Sequence, residues 1–492
     1  MFQQTNSHIL GVNFVLNADS YKLSHNPLYK SDIKGMMSYV EPRITGKIVV
    51  PFGAQMWVQK NLANPITVEM LDEAEAFASA HGEPFDREFW QHIVDVYAGY
   101  IPIVIKVARE GVPIPSANCI ATVVCLDEKV RSIASFIETS FQRGLWYSTT
   151  IASEDLAIRK IIKKYFDLSV DAVDENANDL RQKYPGLPFM YHDFGARGVT
   201  CEEQAQIGGA AHLVNFTGSD TISGIRAANW YYDCAMAAFS VPATEHSVQC
   251  SYGSSEVEQR EYIKAVLTKY LKKGAILSIV LDGYDIYRES ATLCSPEFVK
   301  LIQESGARVV FRPDSGDPHE VIPRILAMQE KAFGYTVNSK GYKVINCVGV
   351  IQGDGVCKET IESILKLVTD LGYSAQNIVF GSGGALLQKI NRDTYKFAQK
   401  VCAVLVEDEN GKDVWKPIVK DPITDPGKKS KSGYLGLFKS RLTGEFMTFA
   451  YDPNDPSSID SEWEDAMVEI YNCGEIKNRT TLEEVRNNVY KI

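Results

Sequence analysis

Six times between residues 189 and 384 an apolar run stops abruptly at a loop of Gly, Asp, Ser or Arg. Phe189-Met190-Tyr191-His192-Asp193-Phe194 runs into Gly195-Ala196-Arg197-Gly198. His212-Leu213-Val214-Asn215-Phe216 runs into Thr217-Gly218-Ser219-Asp220-Thr221. Ala275 to Leu281 ends at Asp282-Gly283-Tyr284-Asp285, and Val309-Val310-Phe311 at Arg312-Pro313-Asp314-Ser315-Gly316. Val348 to Ile351 ends at Gln352-Gly353-Asp354-Gly355, and Asn377 to Phe380 at Gly381-Ser382-Gly383-Gly384. Helical patterns separate several of these runs, among them Pro318 to Phe333 and Lys358 to Leu371. Strands alternating with helices predict parallel βαβ units. The spacing fits a closed (β/α) barrel with its polar loops at one mouth. A doubly wound open sheet is the competing architecture, and spacing alone leaves it open.

The rhythm is absent from both ends of the chain. Before it, Val68 to His81 reads as helix, and Ile101 to Ala108 and Ile120 to Val124 read as strands. A long amphipathic helix is expected over Ser153 to Phe166, followed by a bridge rich in Asp, Asn and Pro over 167–188. After residue 390, Val401 to Glu407 and Val414 to Val419 read as strands, and Tyr434 to Phe449 as a hairpin around Thr443-Gly444. The expected fold class is α/β. A (β/α) barrel domain spans 156–390, and residues 1–155 and 391–492 pair into one discontinuous mixed α+β domain.

With 45% hydrophobic and 23% charged residues, a chain of 492 residues can bury a large core. A net charge of -11 argues against a protein that coats nucleic acid. The ten cysteines include no CxxC pair and no metal-ligand spacing, which points to free thiols in a reducing compartment. Ile9 to Leu16 is apolar but short, and Gly11 and Asn13 interrupt it. No signal peptide and no membrane span are read, so the expected location is cytoplasmic.

The loops carry residues suited to anions and sugars. Arg312 and Asp314 follow one strand end, and a cation beside a carboxylate suits a substrate with both phosphate and hydroxyls. Arg197 also follows a strand, where a guanidinium fork suits phosphate oxygens. Gly381-Ser382-Gly383-Gly384 precedes a helical Ala385 to Lys389, an arrangement that lets backbone N–H groups approach a phosphate. The plain alternative is a tight turn. Gly353 and Asp354 add donors and a carboxylate for a sugar hydroxyl. His246, beside Glu245 and after Pro242, is a candidate for proton transfer or nucleophilic attack, with Asp282 or Asp285 to orient it. His192 is its rival, although its apolar neighbours favour a satisfied core histidine. Phe194 and Tyr21 are aromatics beside polar loops, able to stack on a flat heterocycle. Lys400, Lys420, Lys428, Lys429, Lys431 and Arg392 complete a basic set. Acidic strand ends alone would also suit a glycoside hydrolase, but the Arg and Gly anion sites argue against it.

Eight motifs stand in order: Asn17-Ala18-Asp19-Ser20-Tyr21-Lys22, His192-Asp193-Phe194-Gly195-Ala196-Arg197-Gly198, Ala211-His212-Leu213-Val214-Asn215-Phe216, Gly218-Ser219-Asp220-Thr221, Glu245-His246-Ser247, Arg312-Pro313-Asp314-Ser315-Gly316, Ile351-Gln352-Gly353-Asp354-Gly355 and Phe380-Gly381-Ser382-Gly383-Gly384. Together they resemble the nicotinamide phosphoribosyltransferases, a branch of the type II phosphoribosyltransferase family. The resemblance runs from about residue 10 to the C-terminal hairpin.

The resemblance implies a barrel plus a mixed domain from both chain ends, acting as a head-to-tail homodimer with shared sites. It implies transfer of a phosphoribosyl group from phosphoribosyl pyrophosphate to nicotinamide, with Mg²⁺ held mainly through pyrophosphate and no protein metal ligand assigned. ATP is implied as a coupled substrate that transiently phosphorylates His246. Phe194 and a partner's Tyr21 are implied to sandwich the pyridine ring, with Asp19 beside Tyr21. Asp220 is implied to accept from the carboxamide, and Arg312 to contact the amide and the ribose phosphate. Asp314 and Asp354 are implied on ribose hydroxyls, and Gly353, Gly383 and Gly384 on the 5'-phosphate. Arg43, Arg197, Arg392, Lys400, Lys420 and Lys428 are implied on pyrophosphate or ATP. The implied catalytic set is His246, Asp282, Arg312 and Asp314. Ala398, Ala196 and Thr244 depart from the pattern, where animal members carry Ser, Tyr and Ala, and the segment from Arg43 to Phe52 is short. A nicotinate-using enzyme and a non-catalytic binding or signalling protein on the same scaffold are the alternatives.

Overall fold

The computed structural model describes residues 13–424 and 428–491. The apolar run from Ile9 lies partly outside the described residues. Its described end, Phe14–Leu16, is a single 3-10 turn whose N-cap Asn13 accepts the Val15 N–H. The chain forms two compact units, Met1–Thr150 with Asn391–Asn488, and Ile151–Ile390 with Val489–Ile492.

The first unit is built on a seven-stranded antiparallel sheet. Its order is Asp413–Pro417, Phe397–Glu407, Ile33–Pro42, Ala121–Cys125, Val104–Ala108, Met467–Asn472 and Glu475–Ile476. Three strands from the N-terminal part are therefore flanked on each side by two from the C-terminal part. Met36, Val40, Ile105 and Val123 bury one face against Trp57, Trp90 and Phe136. The helix read at Val68–His81 has those bounds, with Thr67 accepting at its N-cap and Gly82 in the left-handed region at its C-cap. The expected hairpin is formed by Leu435–Ser440 and Phe446–Ala450.

The second unit holds a six-stranded parallel sheet in the order Gly218–Ser219, Tyr191–Asp193, Ile378–Ser382, Val348–Gln352, Arg308–Arg312 and Ile276–Val280. The two edges do not stay open. Phe239 bridges to Gly218 and Ala243 to Ser278, so the stretch 239–244 links the edges by single parallel bridges. Thr244 strengthens the link: its buried hydroxyl accepts the Val280 N–H at 2.9 Å and pairs with the Tyr262 hydroxyl at 2.7 Å. The expected barrel is therefore completed by an irregular stave, and the open doubly wound sheet is excluded. The helices read between the strands are present as Pro318–Phe333 and Lys358–Asp370. Among the described residues no helix is long and apolar enough to cross a membrane, and all ten cysteines are free.

Two readings need correction. His212 to Phe216 is not a strand: His212 ends the helix Glu202–His212, and the strand is the short Gly218–Ser219. That helix is rich in small residues because it packs very closely on Ile222–Tyr231. A Cβ on Gly224 would lie 2.6 Å from the Gly209 Cα. A helix of buried small residues shows no amphipathic period, so Val214 gave a false strand signal. The helix expected from Ser153 begins instead at Glu138 and runs to Ser169. Gly144 lowers the helix propensity of its first half, but a Cβ there would lie 2.6 Å from the Trp57 ring, so packing overrides propensity.

Candidate active site

All barrel strands are parallel, so their C-terminal ends share one rim. Phe194, Asp220, Asp282, Arg312, Asp314, Gly353, Asp354, Gly383 and Gly384 all stand at or just past those ends.

One half of the rim is a charged chain. Asp282 Oδ1 lies 2.9 Å from His246 Nε2, and Asp282 Oδ2 accepts the Asp314 N–H at 3.0 Å. Arg312 donates from Nη2 to Asp314 Oδ2 at 2.8 Å, while its buried Nε has no partner among the described residues. A Cβ on Gly353 would come within 2.9 Å of Asp314 Oδ1, so the next strand end sits directly against this pair. His246 opens the short helix His246–Cys250 and is 45% exposed, whereas the Asp282 side chain is 3% exposed. Asp282 therefore fixes the ring through Nε2 and leaves Nδ1 without a hydrogen-bond partner among the described residues. Asp285, the other candidate to orient the ring, caps the helix Ile286–Leu293 instead, accepting the Tyr287 and Arg288 N–H groups.

The other half is shaped to take a ring. Phe194 lies across Gly381 so closely that a Cβ there would be 2.0 Å from the ring Cε2. Only glycine permits that approach. Phe194 N–H donates to Ser382 O at 2.8 Å, and Asp220 N–H to Asp193 O at 2.9 Å, so Asp220 is tied next to Phe194. The exposed Asp220 carboxylate accepts from the Ser240 hydroxyl. The turn Ala196–Gly198 brings Arg197 beside the last strand: a Cβ on Gly198 would lie 3.0 Å from the Gly384 Cα. Gly383 and Gly384 have open space where a Cβ would point, and the helix after them is the single turn Gly384–Leu387.

Sequence reasoning missed Ser240, Gly381 as the seat of Phe194, and Asp193. The Asp193 side chain is fully buried, accepts the Gly195 N–H at 2.7 Å, and is pushed above the ordinary carboxyl range by burial. His192 is the satisfied histidine expected. Its Nε2 faces Phe189 O at 2.9 Å, and desolvation, aided by the charge of His212, lowers it to about 4.

The remaining candidates belong to the first unit. Tyr21 is 52% exposed, with its ring 4.9 Å from His25 and its edge toward it. Asp19 accepts from Thr139 Oγ1 at 2.8 Å. Arg43 Nε donates to the buried Glu41 at 2.9 Å, and Lys431 also reaches Glu41. Lys400 and Lys22 share Glu138 at 3.2 and 2.8 Å. Two cations per carboxylate leave positive charge uncompensated in both clusters. Lys420 N–H donates to the Ser430 hydroxyl and its carbonyl accepts the Ser430 N–H, whereas Arg392 pairs with its neighbour Asp393 at the surface. Lys428 is exposed. Of the departures, Ala196 is exposed next to Arg197, and Ala398 lies opposite Glu41 in the sheet.

Residues 189–475 match the family model described as nicotinate phosphoribosyltransferase (NAPRTase) family, and residues 13–105 match that described as nicotinamide phosphoribosyltransferase, N-terminal domain. The chain is 40% identical over 477 residues to a nicotinamide phosphoribosyltransferase of Xanthomonas campestris pv. campestris, covering 96% of this chain and 97% of the relative. It is 30% identical over 515 residues to one of Acinetobacter baylyi, covering 96% of each. In fold it is similar to the nicotinate-nucleotide pyrophosphorylase of Pyrococcus furiosus, with a TM-score of 0.59, 15% identity and coverage of 99% and 97%. It is also similar to human nicotinic acid phosphoribosyltransferase, with a TM-score of 0.54, 12% identity and coverage of 96% and 92%. The chain belongs to the nicotinamide phosphoribosyltransferase family.

Proposed function

We propose that the protein transfers the phosphoribosyl group of phosphoribosyl pyrophosphate to nicotinamide, forming nicotinamide mononucleotide and pyrophosphate in cytoplasmic NAD salvage. The observation that carries the choice of substrate is the Asp220 carboxylate tied beside Phe194. A carboxylate accepts from a carboxamide NH₂ and repels the carboxylate of nicotinate. Phe194 takes one face of the pyridine, and Tyr21 with Asp19 of a second copy takes the other, in a head-to-tail homodimer.

The pyridine nitrogen forms a bond to ribose C1 as the bond from C1 to the pyrophosphate oxygen breaks, and the electron pair leaves with pyrophosphate. The intermediate charge on C1 is oxocarbenium-like, so catalysis is positioning and neutralisation of the leaving group. Asp314 and Asp354 hold ribose hydroxyls, Arg312 spans amide and phosphate, and Gly353, Gly383 and Gly384 offer N–H groups to the 5'-phosphate. Arg197, with Arg43, Arg392, Lys400, Lys420 and Lys428, takes pyrophosphate or ATP oxygens. No protein ligand is assigned to the cation, which would arrive on pyrophosphate. Bound Mg²⁺ supplies charge that stabilises the departing pyrophosphate. For ATP coupling, His246 Nδ1 attacks the γ-phosphorus, ADP leaves, and Asp282 stabilises the ring through Nε2.

The test measures product from phosphoribosyl pyrophosphate and Mg²⁺ with nicotinamide and nicotinate in parallel, with and without ATP. Nicotinamide mononucleotide in clear excess supports the reading. Nicotinate mononucleotide alone overturns the role of Asp220, and neither product from folded protein overturns catalysis.

A further inference from the structure

A second histidine–carboxylate pair lies wholly inside the barrel unit. His212 Nδ1 is 2.8 Å from Asp155 Oδ2, and both side chains are 0% exposed. His212 Nε2 is 3.1 Å from the carbonyl oxygen of Gly218. Both ring nitrogens thus face oxygens, an arrangement that an imidazolium satisfies by donating from both, to the Asp155 carboxylate and to the Gly218 carbonyl. Burial presses its pKa down, but the Asp155 charge and hydrogen bond outweigh this and leave it raised. The ring is clamped between Phe216, stacked at 5.5 Å, and the edge of Tyr191.

What the pair holds is specific. Gly218–Ser219 is a strand of two residues, and Asp220 follows it directly. So short a strand is poorly fixed by its own ladder. Its anchors are the Ser219 N–H to Phe239 O, the Asp220 N–H to Asp193 O, and the imidazolium on Gly218 O. A buried ion pair is seldom the most stabilising filling for a core, and an apolar pair of similar volume is often as good. Stability alone does not account for it here, whereas the oriented Gly218 carbonyl does.

We propose that His212, held by Asp155, is a positioning residue that fixes Gly218 to Asp220 and thereby sets nicotinamide affinity and the preference for amide over carboxylate. The second part rests on the proposed function.

The decisive variant is the apolar double Asp155→Leu/His212→Phe, with the isosteric Asp155→Asn as the variant that keeps the volume. Two readouts separate the inference from the reading it rests on. Hydrogen exchange of the peptide spanning 213–221 needs no substrate, and protection of Ser219 to Thr221 is expected to fall about tenfold or more in folded variants. With active wild-type enzyme, KM for nicotinamide is expected to rise about tenfold, with kcat within about threefold, and the nicotinamide-to-nicotinate ratio to narrow. Unchanged exchange and unchanged KM in either folded variant overturn the proposal. Wild-type protein that makes no nicotinamide mononucleotide overturns the function while the exchange measurement still decides the positioning. A loss of kcat and KM effects only in proportion to the unfolded fraction assigns the pair to stability and likewise overturns it.

Discussion

At the barrel rim His246 meets Asp282 at 2.9 Å, and in the interior of the same unit His212 meets Asp155 at 2.8 Å. The contact is nearly identical; the surroundings differ. His246 is 45% exposed and keeps its other ring nitrogen without a hydrogen-bond partner among the described residues, open to chemistry. His212 is fully enclosed, and both its nitrogens are engaged, so it cannot accept a proton or a phosphoryl group without losing an anchor. One pairing yields a reactive group where solvent and substrate reach it, and a fixed charge where they do not.

The comparison breaks most visibly in stability. Asp155→Ala leaves an unpaired imidazolium in the core and is expected to cost about 3–5 kcal/mol in urea unfolding. A cost below about 1 kcal/mol would mean that the cavity admits water and that His212 is not held as a cation. Asp155 itself is raised to about 6, by desolvation that His212 opposes.

These two pairs were unequally legible in the sequence. His246 stood out through Pro242, Glu245 and the Asp282 strand end, all local signals. The positions of Phe194, Arg312, Asp314 and Asp354 after apolar runs were also readable, because a buried parallel strand shows as an uninterrupted apolar segment ending in polar residues. His212 reads as part of a strand, since its helix is made of small buried residues without period, and its partner lies 57 positions away. The seat of Phe194 on Gly381 and the Ser240 hydroxyl on Asp220 depend on register between strands, which no local pattern encodes. The single-bridge closure through 239–244 was invisible for the same reason.

His192, between these regions, tests the electrostatic side. Its pKa is lowered to about 4 by desolvation first and the His212 charge second, with Asp220 opposing. Its folded pKa lies below the unfolded 6.5. Its contribution to stability is therefore complete above that pH and is lost as pH falls through about 4. His192→Asn is expected to remove about 3 kcal/mol of acid sensitivity from the unfolding free energy between these limits. An unchanged acid limb would place the ring in freer contact with water. Selectivity responds next. Asp220→Ala is expected to lower the nicotinamide-to-nicotinate ratio of kcat/KM about tenfold, or about 1.4 kcal/mol, since one substrate loses an acceptor and the other a repulsion. An unchanged ratio would move the specificity away from this loop.

The smallest effect on stability belongs to the exposed pair, and it is the sharpest test of the contrast. Asp282→Asn keeps an oxygen for the Asp314 N–H and removes only the charge facing His246. Because His246 is half in water, its contact with Asp282 is screened and solvated. The unfolding free energy is expected to change by less than about 1 kcal/mol, whereas the rate increment gained on adding ATP should largely vanish. The rate without ATP should persist, since phosphoribosyl transfer does not pass through the imidazole. A variant that loses stability as Asp155→Ala does, yet keeps the full response to ATP, would reverse the assignment and make Asp282 the structural carboxylate.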